Sequence, residues 1–220
     1  MKNICPLCQK VQSHFYHSDK KRTYWQCQHC QLVYVPSEFQ LSLENEKKQY
    51  DFHINNPDDA HYRKFLSRLF EPLCEHLSTP ASGLDFGSGP GPTLSIMFEE
   101  AGYHMAVFDK FYATDSSVFN KQYDFITATE VFEHLSNPAE VIKRLLSIIK
   151  PQGYLGLMTK MVINKEQFSH WHYKNDLTHI SFFSQQTFNW LAEEYNLKLE
   201  FVSNDVIILQ KTSIAAAEPS

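Results

Sequence analysis

No run of about 18 consecutive apolar residues occurs in the chain, so the sequence carries no signal for a membrane-spanning helix. The opening stretch, MKNICPLCQK, lacks the apolar core of a secretory leader, and a cytoplasmic protein is expected. An excess of positive charge is also missing: 20 Lys and Arg stand against 25 Asp and Glu, a net charge of −5. A partner held by charge over the whole surface, such as nucleic acid, is therefore disfavoured, although a local basic patch is still compatible. No internal repeat is present. What remains is an ordinary soluble composition, 43% hydrophobic and 20% charged, in 220 residues. That length suffices for one sizeable core and a small appendage.

Cysteine is scarce but concentrated. Four of the five cysteines form two pairs, Cys5-x-x-Cys8 and Cys27-x-x-Cys30, with 18 residues between them, and Cys74 stands alone. In a cytosolic chain such pairs more often hold metal than form disulfides. Two C-x-x-C turns can point four thiolates at one tetrahedral Zn²⁺, which would supply folding energy that some 35 residues cannot bury for themselves. The competing readings are a redox C-x-x-C and a site that has lost its metal. CPLC and YWQCQHCQLVYV look like zinc-ribbon knuckles followed by a strand. Lys20, Lys21 and Arg22 fall at the expected ribbon tip, where a solvated basic turn and a nucleic-acid contact both fit.

Residues 36–58 are polar with proline near both ends and read as a connector. Apolar residues then recur at helical spacing from Ala60 to Leu77, with Pro72 a kink or local break. From Gly83 the chain alternates. Short apolar strands (GLDF, HMAVFD, YDFITAT, YLGLMT) are separated by helical segments at 92–101 and 137–150, the latter opened by Asn137 and Pro138. A helix capped by Ser184 and a hairpin about Asn204-Asp205 close the pattern. The expected fold class is α/β: a mostly parallel Rossmann-like sheet with helices on both faces and a C-terminal antiparallel hairpin. The division this implies is a ribbon at 1–35, a linker at 36–58, an α/β domain at 59–211 and a disordered tail at 212–220.

The first strand–helix turn of such a sheet is where ligands sit. Here it reads GLDFGSGPGP, residues 83–92. A phosphate loop, G-x-x-x-x-G-K-[ST], is absent, and a dinucleotide loop needs glycine at position 92, which is proline. The spacing is G-x-G-x-G over Gly87, Gly89 and Gly91, preceded by Asp85, and Asp109 ends the second strand. ITATEVFEHLSNP follows at 126–138. Taken together these resemble the class I S-adenosylmethionine-dependent methyltransferases, in particular their ubiquinone-biosynthesis-like branch, over roughly residues 60–210.

The resemblance implies an S-adenosylmethionine site at Asp85, Phe86, Gly87, Gly89, Asp109, Thr129 and Glu130. In that role Asp109 meets ribose hydroxyls; the plainer alternatives are a structural βα turn and a capping acid. It also implies, for some members, a divalent cation such as Mg²⁺ on Glu130, Glu133 and His134, which share a face if the segment is helical. The stretch from Asp109 to Tyr123 is too short for the family's helix and third strand, so the adenine contact is left to Phe111 or Tyr112.

The segment FSHWHYKNDLTHISFFS, 168–184, follows the strand that faces the transferred methyl in this fold. His172, Asp176 and His179 are candidate general bases for removing an acceptor proton. The alternative is that Asp176, Thr178 and His179 merely hold the loop by capping and hydrogen bonds. The expected activity is methyl transfer to an O, N or C atom of a small acceptor. Nucleic-acid methylation, and a cofactor-binding module without catalysis, are the alternatives.

Overall fold

The computed structural model describes residues 4–51 and 56–212. The expected tail from 213 onward, and residues 52–55 of the connector, lie outside the described residues. In chain order the elements are β1 (Ser13–Ser18), β2 (Thr23–Cys27), β3 (Val33–Tyr34), α1 (Leu43–Tyr50), α2 (Ala60–His76), β4 (Ser82–Phe86), α3 (Thr93–Glu100) and β5 (His104–Phe108). They continue with β6 (Tyr123–Thr129), α4 (Pro138–Ile148), β7 (Ile149–Met158), α5 (Lys165–His170), β8 (Ser181–Phe182), α6 (Gln185–Glu194), β9 (Leu197–Phe201) and β10 (Val206–Lys211). No helix among the described residues is long and apolar enough to cross a membrane.

Six strands form the main sheet in the order β5-β4-β6-β7-β10-β9. The first four run parallel, and β10 pairs antiparallel with both β7 and β9. This is the Rossmann-like arrangement the alternation predicts. The central strands β4 and β6 and the second half of β7 are largely buried, hence their apolar runs, whereas the edge strand β5 is only half-buried. The segment between Asp109 and Tyr123 supplies one 3-10 turn at Ser116–Asn120, and β5 is left as the sheet edge. Helix α2 runs unbroken through Pro72 and buries Leu66, Leu69 and Leu73. Pro138 opens α4 as expected, but Asn137 makes no capping bond and its amide donates to Glu140 instead (3.0 Å). Ser184 and Thr187 form a reciprocal capping box on α6.

A second, antiparallel sheet runs β1-β2-β3-β8. Its first three strands come from the cysteine-bearing segment. The fourth comes from much further along the chain, with Val33 opposite Phe182 and Tyr34 opposite Ser181. The N-terminal segment is thus not a bead on a string. Cys5, Leu7, Cys27, Cys30 and Leu32 are buried in the same apolar cluster as Phe132, Ile142 and Leu145 of the main domain. The buried Arg22 fastens the join, because its guanidinium donates to the carbonyls of Lys174 (2.6 Å), Asp176 (2.7 Å) and Leu177 (3.0 Å). This corrects the reading of Arg22 as part of a basic tip, while Lys20 and Lys21 do stand exposed at the β1–β2 turn. Arg22 turns inward, where three carbonyls and the Tyr24 hydroxyl satisfy its donors.

The connector is also more than a linker. Helix α1 forms within it, capped by the Ser42 side chain, with Glu44 and Glu46 in its first turn and Lys47 and Lys48 in its last. It is tied to the end of β5: Lys110 pairs with Glu46 (2.6 Å), and the Tyr112 hydroxyl donates to Asp51 (2.7 Å).

Candidate active site

A cavity of about 480 Å³ opens at the carboxyl ends of β4, β5 and β6. The β4–α3 turn forms its floor. Gly87 and Gly89 both adopt left-handed backbone (φ 77° and 66°), whereas Gly91 does not. A Cβ at Gly87 would sit 2.4 Å from Val131 Cγ2, so the loop can lie this close to the β6 exit only without a side chain.

Asp109 stitches the turn together. Its Oδ2 accepts from the Gly89 amide (3.0 Å), and its Oδ1 accepts from the amides of Phe111 (2.8 Å) and Tyr112 (3.1 Å). Asp85 is buried beneath, accepting from the Thr127 hydroxyl at 2.8 Å. Burial pushes its carboxyl up to about 6 against the lowering effect of that hydrogen bond. Phe86 and Thr129 complete this side, with Phe111 and Tyr112 above.

Glu130 leaves β6 in left-handed backbone (φ 52°). Its Oε1 is buried without a hydrogen-bond partner, and burial raises its pKa. A buried carboxylate oxygen left unpaired against a cavity is suited to a donor brought by a ligand. Lys160, another lining residue, places its Nζ 5.2 Å from the centre of the Tyr173 ring.

The far wall comes from the segment after β7. Tyr173, Asp176 and His179 line the cavity, while His172 is exposed and lies outside it. His172 thus sits away from the acceptor side, contrary to its expected role as a base: the 3-10 turn His172–Asn175 buries Tyr173 and leaves His172 exposed. The half-exposed Asp176 carboxylate accepts from the Thr178 amide (2.8 Å) and hydroxyl (2.6 Å); partial desolvation opposes them, but these bonds help to hold its pKa below the usual range. His179 Nδ1 meets the Tyr173 carbonyl at 2.7 Å, and its Nε2 lies 3.8 Å from Asp176 Oδ2.

Glu133 is fully buried between the hydroxyls of Tyr173 and Thr159. Burial first, and then Glu130, push it up to about 8. The cation group expected on Glu130, Glu133 and His134 is not the one formed. Because 132–134 is a 3-10 turn and Glu130 lies before it, the ligand atoms that converge belong to Glu133, His134 and His179. Three further lining residues, Tyr50 of α1 and Tyr62 and Phe65 of α2, escaped the sequence reading. They belong to segments with no motif, and only the tertiary fold brings them over the glycine turn.

At the other end of the molecule, Cys5, Cys8, Cys27 and Cys30 bring their sulfurs within 4.8 Å of one another. Cys5 lies 3.5 Å from Cys30 and Cys8 lies 3.4 Å from Cys27, and none is in a disulfide.

These features define a Rossmann-like methyltransferase fold, and a family model described as a methyltransferase domain matches residues 59–201. The chain belongs to that family. It is 27% identical over 78 residues to a ubiquinone biosynthesis O-methyltransferase of Serratia proteamaculans, and 30% identical over 78 residues to one of Shewanella pealeana. Each match takes in 36% of this chain and about a third (32% and 33%) of the relative. Among solved structures, the 1,6-didemethyltoxoflavin N1-methyltransferase of Burkholderia thailandensis, with bound 1,6-didemethyltoxoflavin and S-adenosylhomocysteine, superposes with a TM-score of 0.53. It is 14% identical and covers 92% of this chain and 100% of its own, which establishes the shared fold.

Proposed function

We propose that the chain is an S-adenosylmethionine-dependent methyltransferase acting on a small-molecule acceptor. One observation carries this reading: a single cavity joins the glycine turn to the Asp176–His179 wall. Its volume of about 480 Å³ and its aromatic lining suit a small molecule.

Asp85, Phe86, Gly87, Gly89, Asp109, Thr129 and Glu130 are the proposed cofactor residues. Gly87 and Gly89 let backbone approach it, and Asp109 keeps one unused lone pair, on Oδ2, for a ribose hydroxyl. Asp85 and Glu130 offer negative charge to an ammonium or sulfonium. When bound, S-adenosylmethionine supplies an electrophilic methyl on sulfur. The chain's task is to align the acceptor, exclude water and take up a proton. Alignment of this kind is worth roughly 7–11 kcal/mol of barrier. Asp176 and His179 offer two proton-accepting atoms 3.8 Å apart on the acceptor side. With the cofactor bound, Asp176 or His179 would take up the proton that the acceptor loses as it is methylated.

The cysteine cluster is the proposed structural zinc site. Sulfurs 3.4–3.5 Å apart need to open only slightly to take Zn–S bonds of about 2.3 Å in a tetrahedron. Zinc there would fasten the sheet that carries β8.

Calorimetry with S-adenosylhomocysteine, followed by a metabolite screen with labelled cofactor, tests the activity. Binding and transfer of label are expected. Uptake of a nicotinamide or flavin nucleotide in place of S-adenosylhomocysteine would refute it. Elemental analysis should find zinc, and under half an equivalent per chain would refute the structural site.

A further inference from the structure

His134 and His179 are presented in the same unusual way. His134 Nδ1 lies 3.1 Å from the Thr178 carbonyl, and His179 Nδ1 lies 2.7 Å from the Tyr173 carbonyl. A carbonyl only accepts, so both hydrogens sit on Nδ1 and each Nε2 presents a bare lone pair. Those lone pairs face carboxylates. His134 Nε2 is 4.0 Å from Glu133 Oε1, and His179 Nε2 is 3.8 Å from Asp176 Oδ2. Two such atoms are drawn together only by a proton or a cation between them, and 3.8–4.0 Å is too long for a shared proton. An imidazole tethered through Nδ1 to a backbone carbonyl is also how metal-bound histidines are held.

The arrangement is built rather than accidental. The Ile180 amide donates to the Glu133 carbonyl (2.7 Å) and the Ser181 hydroxyl to the Leu135 carbonyl (2.7 Å), locking the two segments together. Glu133 is held by Tyr173 and Thr159, which leave each carboxylate oxygen a further lone pair. Glu133, His134 and His179 bring ligand atoms within 4.8 Å of one another. Bonds of roughly 2.0–2.2 Å in a tetrahedron place ligand atoms about 3.4 Å apart, so closure from at most 4.8 Å needs each atom to move by under about an ångström.

We propose that Glu133, His134 and His179 form a second metal site, for a first-row divalent transition ion, in the acceptor wall of the cavity. The ligand set argues against Mg²⁺, which asks for oxygen ligands in a near-ideal octahedron, and for an ion that accepts imidazole. Three protein ligands leave coordination positions open. An ion here would lower the pKa of an acceptor hydroxyl, with His179 as ligand and Asp176 as the proton acceptor. This role rests on the methyl-transfer reading, whereas the site itself does not.

The test is Co²⁺ loading of the full chain under reducing conditions, read by elemental analysis and absorption. Two equivalents are expected. One shows the near-ultraviolet sulfur-to-cobalt band of the cysteine cluster, and the other shows visible bands alone. His179→Gln and Glu133→Gln should each weaken the second equivalent at least 10-fold and keep the sulfur band, which also reports that the β8 sheet is intact. Glu130→Gln should keep both equivalents.

Should the variants fail to fold, the wild type decides: two histidine side-chain resonances should show cobalt-induced shifts when the second equivalent binds. One equivalent in the wild type, a second that survives His179→Gln in a folded chain, or loss with Glu130→Gln alone would overturn the site. A second equivalent without S-adenosylhomocysteine binding would keep the site and remove the methyl-transfer reading.

Discussion

The two walls of the cavity are built by opposite strategies. The glycine-turn wall uses short contiguous segments: residues 85–91, the end of β5, and the exit of β6. Each sits at the carboxyl end of a parallel strand, so the sheet alone sets their spacing. The opposite wall gathers Tyr50, His134, Tyr173 and His179 from three distant stretches. It holds them by an antiparallel strand pair and by one buried arginine. A site assembled from neighbours survives as long as its sheet does. A site assembled across the chain depends on a few long-range fasteners, and removing one should disable one wall while sparing the other.

Arg22→Ala is the sharpest way to break that contrast. It would leave the carbonyls of Lys174, Asp176 and Leu177 without their buried donor. The expected loss is about 3–5 kcal/mol of stability, read from urea midpoints. Arg22→Lys should rescue little, since one ammonium cannot reproduce the planar fork. Turnover should fall far more than S-adenosylhomocysteine affinity, which should stay within about 3-fold because no lining residue of the glycine turn is touched. A loss below about 1 kcal/mol, or parallel loss of cofactor binding, would deny that the walls are independent.

The glycine-turn wall has its own signature in pH. Asp85 is held at about 6, above its ordinary value of 3.8, chiefly by burial. The folded state therefore binds more protons than the unfolded state between pH 4 and 6, and stability falls as pH rises through that window. The shift corresponds to about 3 kcal/mol, fully felt above pH 6. Asp85→Asn should be the more stable chain at pH 7 relative to the wild type, with the difference vanishing near pH 4. Its affinity for S-adenosylhomocysteine should lose the rise with pH that an ionising Asp85 gives the wild type. Identical pH profiles for the two chains would mean that Asp85 does not titrate there.

Gly87→Ala comes next. The new methyl would meet Val131 at 2.4 Å in a left-handed backbone, a cost of about 1–3 kcal/mol. The expected readout is at least 10-fold weaker cofactor binding with an unchanged cysteine cluster. Adding Val131→Ala should recover part of it, because the clash is removed and the backbone strain is not.

The same contrast explains what the sequence disclosed. Asp85, the glycines, Asp109 and Thr129 were legible because strand, turn and acid lie within one short window, and all of them line the cavity. The four cysteines were legible by spacing alone. On the glycine-turn side only the motif-free Tyr62 and Phe65 are hidden from the sequence, and most of the differences fall on the other wall. His172 and Tyr173 are neighbours in a histidine-rich stretch, and periodicity gives no phase for a single 3-10 turn, so the sequence does not tell the outward residue from the inward one. Arg22 read as solvated because two lysines precede it; its partners lie some 150 residues away. His179 stands in place of Glu130 beside Glu133 and His134 because the chain makes a 3-10 turn where helical spacing would have aligned Glu130. Helix α1 was missed for want of an apolar stripe, although Ser42, its acidic first turn and its basic last turn were visible as helix signals.

Helix α1 gives the smallest effect and the finest probe of how the walls meet. Its link to the glycine-turn side is the pair Lys110–Glu46 at 2.6 Å, in which the lysine side chain is 44% exposed and the glutamate 12%. An ion pair so placed is worth at most about 1 kcal/mol and is screened by salt. Lys110→Met should therefore leave the melting temperature almost unchanged. It should speed S-adenosylhomocysteine release a few-fold at low salt, with the difference shrinking toward 1 M salt. Tyr112→Phe, which removes the hydroxyl donated to Asp51 but keeps the ring over the cavity, should act in the same direction without the salt dependence. If neither variant changes the release rate, α1 is fixed by Tyr50 packing against Phe111 and His134, and its polar ties to β5 are incidental.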